Sequence, residues 1–199
     1  MMTKFPQTNG ANRIFRNGRL AYYHKIAEET YWDELWTMQD KEKLYKDARN
    51  GSLGYFEEIF HKFFRKEDLI LEAGCGQGQL VIALKARGYQ VEGIDFAPET
   101  VARLNKDFPE LSIRLGDVKN IDVEDGAYSV YISIGVVEHA LAGPMEFLNE
   151  ARRVVRPGGL AFVSVPHINF VRRIKAALGA FQSTPGELPF YQFAFSKGE

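Results

Sequence analysis

The residues best suited to chemistry in this chain are one acidic residue and three alternating glycines. Glu72 is followed by Gly74, Gly76 and Gly78, and a helical pattern begins near Leu80. Glycines leave no side chain between the backbone and a bound molecule, and they permit positive φ angles. A helix that begins after such a turn points its unpaired backbone N–H groups at the same spot. The stretch therefore predicts a strand, a tight turn and a helix that together bind a polar ligand.

Two more acidic residues and a histidine follow later apolar runs. Asp95 comes 17 residues after Gly78, close to the roughly 20-residue spacing of an acidic residue that binds ribose hydroxyls. Asp95 also suits the N-cap of the next helix. Asp117 follows Gly116, where a plain turn is the alternative. His139 is a candidate general base because imidazole titrates near neutrality, and a structural or substrate-orienting role is equally open.

Short apolar runs alternate with helical patterns along the middle of the chain. Strands are predicted at Leu69–Leu71, Tyr89–Ile94, Leu111–Leu115, Val130–Ile134 and Leu160–Val165. The helices between them are predicted to begin near Leu80, Pro98 and Pro144, the last ending at Pro157-Gly158-Gly159. This alternation predicts an α/β fold with a doubly wound, mostly parallel, Rossmann-like sheet that binds ligands at the carboxyl ends of its strands.

The N-terminal third of the chain has a different character. Residues 1–20 lack periodicity and carry the turn signals Asn9-Gly10 and Asn17-Gly18, so they are predicted to form a loose leader. Residues 21–48 are rich in helix formers and aromatics, which favours a helix that packs its rings on the core over a substrate-contacting lid. A second helix is predicted at 53–64. We therefore expect a leader and helical cap at 1–65 and an α/β domain at 66–199.

The order of these motifs resembles the class I S-adenosylmethionine-dependent methyltransferases. The spacing Glu-x-Gly-x-Gly-x-Gly resembles their first motif, whereas the dinucleotide fingerprint places its third glycine one residue later. The stretch Tyr128–His139 resembles their fourth motif, and Arg156–Gly159 matches the turn before their fifth strand. These motifs span Leu69 to Val165, about half of the chain.

The resemblance implies S-adenosylmethionine as the cofactor, bound at the strand ends. Asp95 would bind the ribose, Phe96 the adenine face, Asp117 the adenine amino group and the Val118 N–H a ring nitrogen. The cofactor's amino end would lie near Glu72. The complete set that the resemblance implies is Glu72, Gly74, Gly76, Gly78, Asp95, Phe96, Asp117, Val118, Ile134 and Gly135.

The resemblance also implies a seven-stranded core sheet whose last two strands form an antiparallel hairpin. Five strands are predicted here, and Phe190–Phe195 gives at most the beginning of a sixth. We therefore expect either that the domain is incomplete at its C-terminus or that another element covers the exposed edge of the sheet. Between these strands, Ile168–Leu178 predicts a basic amphipathic helix.

The expected reaction is methyl transfer by in-line displacement to a small-molecule, saccharide, lipid or quinone-like acceptor, with His139 as the candidate base. Two alternatives stay open. An NAD(P)-dependent oxidoreductase is disfavoured by the glycine spacing and by Asp117, and a catalytically silent cofactor-binding fragment is suggested by the incomplete sheet.

The composition limits the possible binding partners of the protein and its cellular compartment. The 25 Lys and Arg residues nearly balance the 26 Asp and Glu residues, so the usual charge of a nucleic-acid-binding protein is missing. Glu138 and His139 lack further ligands at metal-binding spacing, so no metal is expected. A single cysteine and the lack of an apolar signal or membrane-spanning run indicate a cytoplasmic enzyme that is not an integral membrane protein.

Overall fold

The computed structural model describes residues 12–16, 18–181, 184 and 186–197. The predicted turn at Asn9-Gly10 and residue Asn17 lie outside the described residues. Within them the chain forms eight strands and seven α-helices. In chain order these are β1 (Asn12–Arg16), β2 (Arg19–Tyr23), α1 (Glu29–Thr37), α2 (Lys41–Arg49), α3 (Glu57–Phe63), β3 (Leu69–Ala73), α4 (Gln79–Ala86), β4 (Gln90–Asp95), α5 (Pro98–Asp107), β5 (Ser112–Leu115), β6 (Tyr128–Ile134), α6 (Met145–Val154), β7 (Val155–Ser164), α7 (Phe170–Ala177) and β8 (Phe190–Ala194).

The first of two compact units comprises Glu29–Ile134 and Met145–Val163. It contains a five-stranded sheet in the order β5-β4-β3-β6-β7. The pairs β3/β4, β3/β6 and β4/β5 are parallel. β3 and β6 read as apolar runs because both faces of these central strands are covered, and Ile70 and Leu71 are completely buried. The predicted α/β, Rossmann-like class is confirmed.

The edge strand β7 differs from its prediction. It begins at Val155, directly after α6, so Pro157, Gly158 and Gly159 lie inside the strand and do not form the predicted turn. An edge strand tolerates proline because one side of its backbone needs no ladder partner. A Cβ on Gly159 would lie 2.7 Å from the carbonyl oxygen of Ser129 in β6, so glycine permits the close approach of the two strands.

The second unit comprises residues 12–28, 135–144 and 164–197. Its sheet has the order β1-β2-β8, and both pairings are antiparallel. Leu20, Tyr22, Ile168 and Ala194 form its buried core. The prediction of a leader and a helix was therefore wrong for residues 12–16 and 19–23, which form an antiparallel hairpin.

The predicted C-terminal strand is present as β8, but it pairs with β2. It is therefore not a sixth strand of the larger sheet. The predicted amphipathic helix is also present as α7. The expected division of the chain into a cap at 1–65 and a cofactor domain at 66–199 stays a prediction. Among the described residues, no helix is both long enough and apolar enough to cross a bilayer.

Candidate functional site

The glycine turn after β3 is fastened to the neighbouring strand. The backbone N–H groups of Gly74 and Cys75 donate to the carbonyl oxygen of Ile94, at 2.8 and 3.0 Å. Gly74, Gly76 and Gly78 have φ angles of +79°, +52° and +69°, a region that other residues adopt at a cost. The three glycines are therefore needed for the turn to close between β3 and α4.

Asp95 joins three strand ends. Its carboxylate accepts hydrogen bonds from the backbone N–H of Gly76 at 2.7 Å and of Ala97 at 3.0 Å. Its carbonyl oxygen accepts from the N–H of Gly116, which follows β5, at 2.9 Å. The side chain is only 5% exposed, and this burial raises its pKa while the N–H donors oppose the rise. Asp95 is therefore an ordered acceptor at the carboxyl end of β4.

Glu72 lies beneath the turn on β3. Its Oε2 accepts a hydrogen bond from the backbone N–H of Val81, in the first turn of α4, at 3.2 Å. Burial raises the pKa of the carboxyl to about 8, and the neighbouring Asp95 adds to the rise. Glu72 is therefore largely protonated near neutral pH, and a nearby positive charge would draw it into the ionised form.

The first helix covers the turn. A Cβ on Gly76 would lie 3.3 Å from the indole ring of Trp36, and the Gln77 side-chain amide donates to the Trp36 carbonyl oxygen at 3.2 Å. Trp36 stacks on the buried Trp32, with ring centroids 5.5 Å apart. The aromatic stripe expected to pack on the core thus also supplies a ring that contacts the glycine turn.

Asp33 of the same helix was not identified from the sequence. Its carboxylate accepts from the backbone N–H groups of Glu99 and Thr100, at 3.3 and 2.8 Å, and from the Thr100 hydroxyl at 2.6 Å. The N-cap of α5 is Ala97, whose side chain cannot cap. The cap expected from Asp95 is therefore supplied by Asp33, a partner 66 residues from Glu99 for which the sequence offers no local signal.

The remaining predicted residues of the first unit lie at the ends of β4, β5 and β6. Phe96 is 37% exposed and Val118 is buried. Asp117 is exposed, and its carboxylate accepts from the Lys119 N–H at 2.9 Å and pairs with the Lys119 ammonium at 3.4 Å. Ile134 ends β6. The structure thus places these residues at the same end of the parallel sheet as the glycine turn.

Gly135 and His139 belong to the second unit. Gly135 has a φ of +72° and donates its N–H to the Ser164 carbonyl at 3.3 Å. His139 Nδ1 lies 2.8 Å from the carbonyl oxygen of Tyr191, which can only accept, so Nδ1 carries the proton. Burial lowers the pKa of His139 to about 4, so the imidazole is neutral near pH 7.

The functional groups at the strand ends fit an adenosyl cofactor. S-adenosylmethionine offers hydroxyl, amino and ammonium donors, and the site presents the carboxyl oxygens of Glu72, Asp95 and Asp117. Both oxygens of Asp95 accept one backbone N–H each, which leaves each a second lone pair for a ribose hydroxyl. Among the described residues, no group of three or more His, Cys, Asp or Glu side chains is arranged to hold a metal ion.

Comparison with known proteins shows that this chain is similar to methyltransferases. Residues 71–163 match the family model described as "Methyltransferase domain". A probable S-adenosylmethionine-dependent methyltransferase of Mycolicibacterium smegmatis is 30% identical over 71% of this chain and 48% of its own length. A ubiquinone biosynthesis O-methyltransferase of Shewanella halifaxensis is 30% identical over 81% of this chain and 67% of its own length. The chain thus spans about half to two thirds of the length of these relatives.

Two solved structures share the fold at 18% identity. A protein of Pyrococcus horikoshii aligns with a TM-score of 0.58, over 83% of this chain and 84% of that protein. A SAM-dependent methyltransferase of Methanosarcina mazei aligns with a TM-score of 0.59, over 70% of this chain and 78% of that protein.

Proposed function

The chain belongs to the class I S-adenosylmethionine-dependent methyltransferases, a family whose cofactor is S-adenosylmethionine, and we propose that it methylates a small acceptor molecule. The observation that carries this proposal is the buried Asp95, fixed by the Gly76 N–H at 2.7 Å at the end of β4. This arrangement offers a preorganised acceptor for ribose hydroxyls beside a turn in which three of five residues are glycines.

Each part of the cofactor has a proposed partner. Asp95 accepts from the ribose hydroxyls, and Asp117 and the Val118 N–H bind the adenine edge, with Phe96 against its face. Glu72 and the carbonyl oxygens of Ile134 and Gly135 surround the ammonium group. The remaining contacts come from the backbone of Gly74, Gly76 and Gly78.

When bound, S-adenosylmethionine supplies a methyl group on positively charged sulfur. An oxygen, nitrogen or carbon nucleophile attacks the methyl carbon in line and displaces the sulfur. The protein's contribution is to align the two reactants at about 3–3.5 Å, which can supply several kcal/mol of the barrier. No strong base is needed, because a proton on the nucleophile becomes more acidic as the methyl bond forms.

We propose that His139 accepts the proton that the nucleophile of the acceptor loses. Its Nδ1–H is held by the Tyr191 carbonyl, so the ring's lone pair lies on Nε2. A pKa near 4 makes this imidazole a weak base that stays neutral across the physiological range. It therefore suits a role in which it orients the acceptor's O–H or N–H and takes the proton late in the transfer.

For the acceptor we propose the class first inferred from the sequence, a small-molecule, saccharide, lipid or quinone-like compound. The name of the Shewanella relative, a ubiquinone biosynthesis O-methyltransferase, supports the quinone-like member of this class. A phenolic hydroxyl is an acceptor that a weak, well-placed base can assist.

Titration calorimetry with S-adenosylhomocysteine and with NAD⁺ tests the cofactor assignment. We expect the first to bind and the second not to bind. Asp95→Asn should weaken binding at least tenfold, because one of its oxygens becomes an N–H₂ donor, and should lower the melting temperature, because the backbone N–H of Gly76 or Ala97 loses its acceptor. Asp122→Asn, a matched change of an exposed carboxylate, should have no effect. Binding of NAD⁺ alone would overturn the assignment.

A panel of acceptors with methyl-labelled S-adenosylmethionine then tests the reaction. Label should pass to a phenolic or other small acceptor and not to nucleic acid. Cofactor binding without transfer to any of the proposed acceptor classes would support the catalytically silent alternative.

A further inference from the structure

Helix α7 of the second unit is a well-capped helix. The Asn169 side chain accepts the N–H of Arg172 at 3.0 Å at its beginning. At its end Gly179 has a φ of +67°, and the N–H of Ala180 donates to the Lys175 carbonyl at 2.9 Å. Both ends are thus closed by local hydrogen bonds. The helix is therefore a defined element with two distinct faces.

The outward face of α7 is apolar. Phe170 and Leu178 are 74% and 78% exposed, and Val171 and Ile174 are also exposed, whereas Arg172 is half-buried on the inner side. At about 100° per residue, these four side chains and that of the exposed Ala177 fall within an arc of about 120°. A surface helix usually packs its apolar face on the core and turns its polar face outward. In α7 the apolar face is the one that is turned outward.

Cations border this apolar arc. Arg173 and Lys175 each lie about 40° beyond one of its edges, and both are exposed. No acidic residue occurs between Glu150 and Glu187. The second unit as a whole carries eight Lys and Arg residues against three Glu, in a chain whose net charge is −1.

We propose that α7 binds the surface of an anionic phospholipid bilayer. Phe170, Val171, Ile174 and Leu178 enter the boundary between headgroups and acyl chains, and Arg173 and Lys175 lie at the level of the phosphates. This is the arrangement of an interfacial helix, with an apolar face between flanking cations. The positive charge of the rest of the unit adds a longer-range attraction to the same surface.

The size of the face favours a lipid surface over a second copy of the chain. Eight helical residues make a strip about 12 Å long and about 10 Å wide. A stable protein interface buries about 800 Å² on each partner, several times this area. Nucleic acid would use the cations but would leave Phe170 and Leu178 in water.

Sedimentation with liposomes tests the proposal directly. The protein is mixed with vesicles of phosphatidylcholine alone or with 30 mol% phosphatidylglycerol, at low and at high salt. We expect binding that needs the anionic lipid and declines with salt. Replacing both cations, Arg173→Gln with Lys175→Gln, should reduce the partition coefficient about 25-fold, at about fivefold for each lost charge. Phe170→Ser with Leu178→Ser should reduce it more than tenfold.

Two matched controls come from the first unit. Tyr55→Ser removes a side chain that is 86% exposed, and Lys106→Gln removes an exposed cation. Neither should change binding. Equal affinity for neutral and anionic vesicles, or equal effects of control and α7 variants, would overturn the proposal. So would a dimer in ultracentrifugation that Phe170→Ser abolishes in a protein that does not bind vesicles. None of these readouts depends on methyl transfer.

Discussion

Glu72 provides a test of the proposed orientation of the cofactor. The buried carboxyl has a pKa of about 8, so about nine tenths of it is protonated at pH 7. The proposed site places the ammonium group of the cofactor beside it. An opposite charge in a buried setting favours the ionised carboxylate and lowers its pKa. Binding should therefore release a proton from the protein.

The size of the effect depends on how far the positive charge of the cofactor lowers the pKa of Glu72. A modest reduction of the Glu72 pKa from about 8 to about 6 corresponds to about 2.7 kcal/mol. At pH 7 the protonated fraction then falls from about 0.9 to about 0.1, a release of about 0.8 proton per molecule bound. Because the complex holds fewer protons than the free protein, affinity rises with pH. The dissociation constant should fall about 25-fold between pH 6 and pH 8.

Calorimetry in buffers of different ionisation enthalpy measures the released protons. S-adenosylhomocysteine is titrated at pH 7 in phosphate and in Tris, and the difference in observed heat gives the number of protons. Glu72→Gln should abolish the difference, whereas Glu124→Gln, on the surface, should retain it. The reasoning is refuted if wild type releases no proton, or if Glu72→Gln releases as many as wild type.

The same variant has a second readout in the unfolding of the free protein. The folded state raises the pKa of Glu72 from 4.5 to about 8, so the folded state holds the proton more tightly than the unfolded state. Stability should therefore decline as pH rises through this window. Glu72→Gln should flatten the decline.

Variants at three further positions test the cap of α5, the glycine turn and the proposed base. Asp33→Ala removes three hydrogen bonds at the start of α5 and should lower the free energy of unfolding by about 1–3 kcal/mol in urea titrations. Asp33→Asn, which keeps an acceptor oxygen, should cost less. Gly76→Ala forces a Cβ into the left-handed region, at about 1–2 kcal/mol, and 3.3 Å from Trp36. Its melting temperature should fall and its affinity for S-adenosylhomocysteine should weaken. His139→Ala should lower turnover more than tenfold at unchanged cofactor affinity, and wild-type turnover should show no step from His139 between pH 6 and pH 9, since its pKa is about 4. Unchanged turnover would remove His139 from the proposed role.

The central strands β3 and β6 could be predicted because each is a short, mainly apolar run. β4 ends at Asp95 and α5 begins at Pro98, as the sequence indicates. Buried parallel strands need no partner-specific pattern, since both faces are apolar whichever strand lies beside them. The positions of the acidic residues at strand ends follow from the same runs. The main elements around the turn are thus encoded locally.

In the second unit, the pairing of distant strands has no comparable local signal in the sequence. Its hairpin did have a local signal, because Asn-Gly is typical of a two-residue hairpin turn and Gly18 has a φ of +81°. The strands themselves have only five residues each. The pairing of Leu20 with Ala194 joins residues at opposite ends of the chain. Neither segment has a sequence feature that identifies the other as its partner.

The cap of α5 shows how a distant residue joins the site. The carboxylate of Asp95 accepts from the N–H groups of Gly76 and Ala97, and not from those of Glu99 and Thr100. The carboxylate of Asp33 accepts from these two N–H groups instead. The helix that carries Asp33 also carries Trp36 against Gly76. One helix therefore packs against both the start of α5 and Gly76 of the glycine turn. For this reason Asp33→Ala should weaken cofactor binding as well as stability, whereas loss of the Asp40 cap of α2 by Asp40→Ala should reduce stability alone.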